Sequence, residues 1–235
     1  MVIMMPAADV SPLDRQVWNM LTGHFAHLAK GNDLAKRIDP RYGPFAAARD
    51  DSEVAQRALA DLLIEADDCL YLVEPEIWPS RPGLVVECLG ELVQMVAESI
   101  VEDDHDENIV ELTESDAAEM AELAHETKPG PWGSLTHLYG RYFGIRIDGK
   151  LAAMAGERMR PGAPFAEISG VCTAPEFRGR GFARALTKRL MHEQIRQGHT
   201  PYLHAFRANE GAVMLYEALG FRTRRAMFVS ILKRA

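Results

Sequence analysis

The strongest constraint on the fold is the dipeptide Asp148-Gly149, which lies between two runs of β-forming residues. These runs are RYFGIRI, residues 141–147, and KLAAMAGERM, residues 150–159. An Asp-Gly pair suits the type I′ turn of a two-residue hairpin, because both central residues of that turn need a positive φ. The sequence therefore predicts an antiparallel hairpin here, and its neighbours must pack against it.

Strands and helices alternate on both sides of this hairpin. Strands are predicted at 109–112, 165–173, 201–206 and 227–232, and helices at 113–125, 181–197 and 209–220. A hairpin and a third strand followed by helix, strand, helix and strand predicts an α/β (α+β) fold, with helices flanking a mixed, mostly antiparallel central sheet.

The first half of the chain has its own helical and strand-like runs. Helices are predicted at 11–31 and 52–68, and strands at 69–73, 84–89 and 92–98, with a helix as the alternative for the last run. The acidic stretch EDDHDEN, residues 102–108, favours a solvated linker, since consecutive residues rarely converge on one metal ion around His105. We therefore expect a smaller α/β half at 1–105 and a second domain at 106–235.

The overall charge and the cysteines exclude several classes of protein. The formal net charge of −8 argues against nucleic-acid binding, which needs a basic surface, and favours a cationic acceptor only weakly. The three scattered cysteines form neither a disulfide framework nor a metal motif. The sequence offers no signal peptide and no membrane-spanning run, so a reducing cytoplasm is the expected location.

A glycine-rich turn, FRGRG at 177–181, precedes the predicted helix at 181–197. A dinucleotide site needs a third glycine where Arg184 stands, and a Walker A loop needs Gly-Lys-Ser/Thr, which is missing. Gly179 and Gly181 at a helix N-terminus, beside two arginines, still suit an anion, because their amides are free and the helix dipole is positive there. The alternative is a plain turn with solvated arginines.

The residues around this turn identify the family that the chain resembles. EISGVCTAPEFRGRGFARALTKRL followed by HAFRANEGAVMLYEALGF resembles the GCN5-related N-acetyltransferase (GNAT) superfamily, and Arg178, Gly181 and Ala183 match its glycine-rich signature. The resemblance covers about 109–235. Within the superfamily the chain is most similar to the FR47-like group, and so to the C-terminal domain of glycine N-acyltransferases. Residues 1–105 loosely resemble the degenerate acetyltransferase-like half of those relatives.

The resemblance implies acetyl-CoA as the second substrate, without a metal. The family's phosphate loop binds the pyrophosphate, and the preceding strand binds the pantetheine arm through its backbone. The implied coenzyme contacts are Val171, Cys172, Thr173, Arg178, Gly179, Arg180, Gly181, Phe182, Ala183 and Asn209. Open backbone groups on that strand require the neighbouring strand PYLHAF to splay away from it.

Three side chains are candidate catalytic groups. Tyr216 corresponds to the family's acid, which protonates the departing thiolate; a core aromatic is the alternative. Glu167 matches the catalytic glutamate of glycine N-acyltransferases and, by strand alternation, shares a face with Ser169 and Val171; an ion pair is the alternative. His204 is a second candidate base or a packed histidine.

Two other patterns carry no catalytic prediction. Cys172 is expected to be a small core residue rather than a nucleophile, because no His or Asp is tied to it in the sequence. His192 and Glu193 resemble the start of a zinc motif, but Arg196 stands where the second histidine belongs.

The resemblance implies an N-acetyltransferase that transfers an acetyl group from acetyl-CoA to a primary amine of a small molecule, by direct attack in a ternary complex. Trp132 and the TKPGPW loop lie where family members build the acceptor pocket. Two alternatives remain: a non-catalytic acyl-CoA-binding regulatory module, and an amino-acid N-acyltransferase with a larger acyl-CoA. No membrane or nucleic acid is expected as a partner, and both a monomer and a homodimer are compatible with the sequence.

Overall fold

The computed structural model describes residues 11–101 and 108–235. The predicted boundary at 105/106, most of the acidic stretch and His105 lie outside the described residues. No helix among the residues described has the length and apolarity needed to cross a membrane.

The described residues contain five α-helices and eleven strands, together with short 3₁₀ helices and loops. The helices are α1 (Gln16–Thr22), α2 (Glu53–Ala60), α3 (Ala117–Thr127), α4 (Phe182–Arg196) and α5 (Glu210–Ala218). The strands are β1 (Ala29–Gly31), β2 (Ala35–Ile38), β3 (Ala46–Ala48), β4 (Cys69–Glu74), β5 (Leu84–Ala97), β6 (Ile109–Leu112), β7 (Tyr142–Ile147), β8 (Lys150–Glu157), β9 (Phe165–Thr173), β10 (Thr200–Phe206) and β11 (Phe221–Arg234).

Eight strands form one large sheet in the order β4-β11-β5-β10-β9-β8-β7-β6. All neighbours are antiparallel except β9 and β10, which run parallel. Helices α4 and α5 cover one face and α3 covers part of the other, as the buried contacts of these helices show. The predicted fold class is confirmed.

The hairpin that most constrained the fold is present between β7 and β8. Asp148 and Gly149 both have positive φ, 50° and 81°, as a type I′ turn requires. The strand prediction at 165–173 matches β9 residue for residue. Local turn chemistry and alternation were sufficient here because both partners are close in sequence.

The predicted helix at 11–31 is wrong beyond residue 22. Helix α1 ends at Thr22, just before Gly23, and Ala29–Gly31 forms the first strand of a separate three-stranded sheet. Glycine loses more backbone entropy in a helix than any other residue, so it marks the end of the helical run. The two runs predicted at 84–89 and 92–98 form a single strand, β5, whose pairing with β11 shifts register beside Gly90.

Strands from the first half of the chain lie inside the large sheet. Strand β5 pairs with β10 on one side and with β11 on the other, and β4 pairs with β11. The hydrophobic core also contains residues from both halves of the chain: one buried cluster includes Leu13 and Met20 together with Tyr202 and Met227. The N-terminal residues therefore form part of the sheet that positions the site.

Candidate active site

Strands β9 and β10 pair over only part of their length. Their parallel register runs from Phe165 opposite Thr200 to Glu167 opposite Tyr202 and then stops. Beyond that point β10 continues to pair with β5 as far as Phe206, while β9 continues beside β8 to Thr173. The two strands therefore diverge, as the coenzyme contacts implied by the resemblance require, and leave a gap in the middle of the sheet.

A bulge in β9 lies at the start of this gap. Gly156 pairs with Ser169 but Met154 pairs with Cys172, so Gly170 and Val171 together oppose a single residue of β8. Gly170 has φ of 62°, and a Cβ there would lie 3.2 Å from the Tyr142 ring, which explains the glycine.

The bulge overturns the predicted alternation. Val171 packs with the cluster under α4 and α5, whereas Cys172 packs with the cluster under α3. Glu167 and Ser169 therefore do not share a face with Val171, because the extra residue reverses the alternation that follows it. A bulge is set by tertiary pairing, so strand periodicity alone did not reveal it.

The glycine-rich turn leads directly into α4. Gly179 and Gly181 have φ of 76° and 82°, and an added Cβ at either position would meet nothing within 4 Å. Gly181 is the N-cap residue, and no side chain caps this helix. The turn therefore presents backbone amides to open space at the positive end of the helix dipole, which is an anion-binding arrangement.

The arginines of this turn have no acidic partner within the described part of the chain. Arg178 donates from Nε to the Thr173 carbonyl oxygen at 3.3 Å. The Arg180 guanidinium lies over the rings of Phe177 and Phe182, 5.8 and 5.7 Å from their centroids. Their charges are thus available to a ligand phosphate.

A cavity of about 550 Å³ fills the gap between the diverging strands. Six predicted coenzyme contacts line it: Val171, Cys172, Thr173, Arg178, Ala183 and Asn209. The other four, Gly179, Arg180, Gly181 and Phe182, form the turn between Arg178 and Ala183. Tyr216 and His204 also line this cavity, so the structure brings these predicted residues together.

Tyr216 is a buried side chain on the wall of this cavity. The side chain contacts Phe221 edge to face at 6.0 Å between centroids, and burial raises the pKa of Tyr216 to about 12. The phenol is therefore protonated at neutral pH and is able to donate a proton. A core aromatic and a proton donor are compatible roles for it.

Asn209 is the N-cap of α5. Its Oδ1 accepts the Ala212 amide hydrogen at 3.2 Å, which is the predicted cap. One oxygen is enough for this role, so the Asn209 amide nitrogen remains available at the cavity wall.

Glu167 and His204 form a buried pair where β9 and β10 begin to diverge. His204 Nδ1 lies 2.8 Å from Glu167 Oε1, and the Met159 amide donates to Glu167 Oε2 at 3.2 Å. Both side chains are largely buried. Two candidate bases that sequence reasoning treated as alternatives are therefore in contact.

Gln94 of β5 fixes the environment of this histidine. Its Oε1 accepts from Arg224 Nη1 at 2.9 Å, and its Nε2 donates to the Leu13 carbonyl oxygen at 2.9 Å. These two partners determine which end of the amide is the nitrogen. Nothing in the local sequence marks Gln94, because its neighbours come from distant segments.

The amide nitrogens of Gln94 and Gln16 lie 3.3 and 3.5 Å from His204 Nε2. Both are donors, so Nε2 acts as an acceptor and the ring proton sits on Nδ1, facing the Glu167 carboxylate. The tautomer is inferred from these partners. The pair is therefore arranged with His204 Nδ1 donating to Glu167 Oε1.

A second cavity, of about 400 Å³, lies on the other side of this pair. Glu167 and Ser169 line it, and four residues line both cavities: Lys128, Pro129, His204 and Phe206. Its remaining walls come from both halves of the chain: Gln16, Phe45, Tyr71, Val73, Leu89, Leu92, Gly130, Pro131, Arg158, Met159 and Val229. The volume suits a small molecule. Of the TKPGPW loop, residues 128–131 line this cavity, whereas Trp132 packs edge to face on Tyr142 at 5.6 Å.

The remaining reactive patterns have structural partners. Cys172 is buried, and desolvation raises its pKa to about 11, which keeps the thiol protonated at neutral pH. His192 Nε2 bonds to the Val101 carbonyl oxygen, and Glu193 pairs with Arg141 and Arg189. Across residues 11–101 and 108–235, no group of three or more His, Cys, Asp or Glu side chains is arranged to hold a metal.

Solved structures share this architecture. A protein from Novosphingobium aromaticivorans, assigned to the acetyltransferases of the GNAT family, is 48% identical, with a TM-score of 0.92 over 96% of this chain and 100% of that one. A GCN5-related N-acetyltransferase from Kribbella flavida has the same fold at 16% identity, with a TM-score of 0.68 over 97% of both chains. An acetyltransferase of the GNAT family from Colwellia psychrerythraea superimposes with a TM-score of 0.54 at 16% identity, covering 92% of this chain and 90% of that one.

The FR47-like family matches residues 142–229, from the first strand of the hairpin into β11. No curated protein matches the sequence. The similarity to glycine N-acyltransferases stays a prediction. With 48% identity to a GNAT protein over nearly its whole length, the chain belongs to the GNAT family of acetyltransferases.

Proposed function

We propose that the protein is an N-acetyltransferase that uses acetyl-CoA to acetylate a primary amine of a small molecule. One observation carries this proposal: the gap between β9 and β10 joins an anion-binding turn to a second cavity through His204. Coenzyme A has a pyrophosphate at one end and a thioester at the other, so it suits the first cavity, and the amine suits the second.

In this proposal the reaction is a direct transfer. The amine nitrogen attacks the thioester carbonyl carbon, and the backbone amides of β9 near Val171 stabilise the oxyanion. The carbon–sulfur bond then breaks. The amine proton passes to Glu167, directly or by way of His204 or water, and the thiolate takes its proton from Tyr216.

The donor-binding step is tested by isothermal titration of the full chain with acetyl-CoA. We expect saturable binding below millimolar concentration, and no binding at all would overturn both the phosphate-turn assignment and the enzymatic proposal. Thiol release with a panel of small amines tests transfer, and initial-rate lines that intersect would indicate a ternary complex. Binding without transfer to any amine would instead support a regulatory acyl-CoA-binding module.

The acyl group is tested in the same assay. Acetyl-CoA is compared with longer and aromatic acyl-CoA thioesters at equal concentration. We expect the highest kcat/KM with acetyl-CoA, and a preference for a larger acyl group would replace the acetyl assignment while keeping the acyltransferase.

A further inference from the structure

Arg158 lies immediately after β8, inside the second cavity. It is only 5% exposed, and its guanidinium stacks over the Phe45 ring at 5.5 Å from the centroid. Its Nη2 donates to the Pro131 carbonyl oxygen at 3.3 Å, and its backbone amide donates to the Glu167 carbonyl oxygen at 3.2 Å. The side chain is thus held against the cavity wall beside the strand that carries Glu167.

No carboxylate pairs with this guanidinium within residues 11–101 and 108–235, where the Pro131 carbonyl oxygen is its side-chain hydrogen-bond partner. The comparable buried arginine, Arg37, is 2% exposed and pairs with Asp68 at 2.5 Å. The carboxylate of Glu167 is already engaged by His204 and Met159. A buried cation without an anion is costly, so the site is incomplete without a ligand that supplies one.

We infer that the acceptor carries a carboxylate that pairs with Arg158, and that it is an amino acid. This inference rests on the proposed acetyltransferase function. A guanidinium pairs strongly with a carboxylate through its Nη groups, and stacking on the Phe45 ring leaves donation in the guanidinium plane open. The acceptor's amine then faces Glu167 and His204, which line the same cavity. Arg158 and Glu167 together complement a zwitterion.

The rest of the cavity narrows the class of amino acid. Its walls are mainly apolar, with Phe45, Leu92, Met159, Phe206 and Val229 among them. An apolar side chain buries best against such a wall, whereas a charged one would lose its hydration. The acceptor is therefore an amino acid with an apolar side chain.

Binding to the protein saturated with coenzyme A tests this without any need for turnover. L-phenylalanine and L-leucine are titrated by calorimetry beside their carboxamides and beside the decarboxylated amines phenethylamine and isoamylamine. We expect the acids to bind at least about tenfold more tightly, because a charge-assisted pair is lost in the other compounds. Equal affinity for acids and amides, or no acid binding at millimolar concentration, would overturn the inference.

Variants locate the partner of the carboxylate. We expect Arg158→Met to abolish the preference for acids over amides, and Arg158→Lys to retain part of it, since lysine keeps the charge but not the planar fork. Lys128→Met is the matched control: this lysine is an exposed cation that lines both cavities, so its loss is read at saturating coenzyme A and should leave the preference intact. Loss of the preference in Lys128→Met alone would contradict the inference.

Two readouts separate this inference from the proposed function and from misfolding. Acetyl-CoA binding and the melting temperature of each variant are measured in parallel, and the comparison of acids with amides on the unmodified protein does not depend on any variant. If simple amines support thiol release with the same kcat/KM as the acids, the proposed function holds and the inference fails. If no amine supports thiol release although acids bind selectively, the inference about the ligand holds and the proposed transfer fails.

Discussion

At Gly181, a substitution acts in two ways: it strains the backbone, and it fills the space that a bound anion would occupy. A side chain at this position must adopt φ of 82°, and a glutamate would also place a negative charge at the glycine-rich turn. We expect Gly181→Glu to abolish acetyl-CoA binding, as measured by calorimetry. Left-handed backbone costs an ordinary residue about 1–2 kcal/mol, so some loss of stability is expected as well.

Gly198 is the matched control for this variant. It follows the other end of α4, has φ of 79° and, like Gly181, has nothing within 4 Å of an added Cβ. Gly198→Glu should therefore cost similar stability while keeping acetyl-CoA binding. Equal loss of binding in both variants would show that strain, and not the anion site, explains the effect at Gly181.

Tyr216 is tested by removing only its hydroxyl. We expect Tyr216→Phe to lower kcat by about 100-fold or more, the usual range for loss of a general acid, with little change in acetyl-CoA affinity. The buried ring remains, so packing against Phe221 is retained. Tyr139→Phe removes a buried hydroxyl that lines neither cavity and should leave kcat unchanged. An unaltered kcat in Tyr216→Phe would remove Tyr216 from the mechanism.

Among elements, α5 carries a cap that also lies on the cavity between β9 and β10. Asn209→Ala should lower the free energy of unfolding by about 1 kcal/mol, the usual cost of losing an N-cap side chain. Asn209→Asp keeps the capping oxygen but loses the amide nitrogen. We expect the aspartate variant to melt like the unmodified protein and to bind acetyl-CoA more weakly; unchanged affinity in both variants would limit Asn209 to capping.

The elements that sequence reasoning predicted well are those set by neighbouring residues. The hairpin at Asp148-Gly149, strand β9 and the cap of α5 each depend on residues within a few positions. The bulge at Gly170 was missed because it depends on how β8 and β9 pair, which no local pattern reports. Because the bulge was missed, Val171 was predicted to lie on the same face of β9 as Glu167, whereas it lies on the opposite face.

The candidate site divides in the same way. The glycine-rich turn and Tyr216 lie in segments whose local sequence patterns indicate a functional role. Gln94 and Arg158 carry no local mark, because their roles come from long-range contacts with His204 and from the absence of an acidic neighbour among the described residues. The net charge of −8 favoured a cationic acceptor, whereas the second cavity contains a buried cation.

For the molecule as a whole, the placement of β5 determines what can fold alone. This strand lies between β10 and β11, and residues such as Gln16 and Phe45 line the second cavity. We expect a fragment of residues 106–235 to lack a cooperative unfolding transition, since two of its strands would lose their shared neighbour. Circular dichroism and size-exclusion chromatography of the fragment check this. A monomeric fragment that melts cooperatively and binds acetyl-CoA would establish it as an independent domain.

The arrangement of β4, β5 and β11 also has a consequence for synthesis on the ribosome. Strands β4 and β5 are complete by Ala97, yet the partner that joins them, β11, begins only at Phe221, and β10 begins at Thr200. At roughly 5–20 residues per second, these two strands wait on the order of ten seconds for their partners to be translated. During that interval their edges are open to other nascent chains, so early binding of a chaperone to the first hundred or so residues would favour the yield of folded protein.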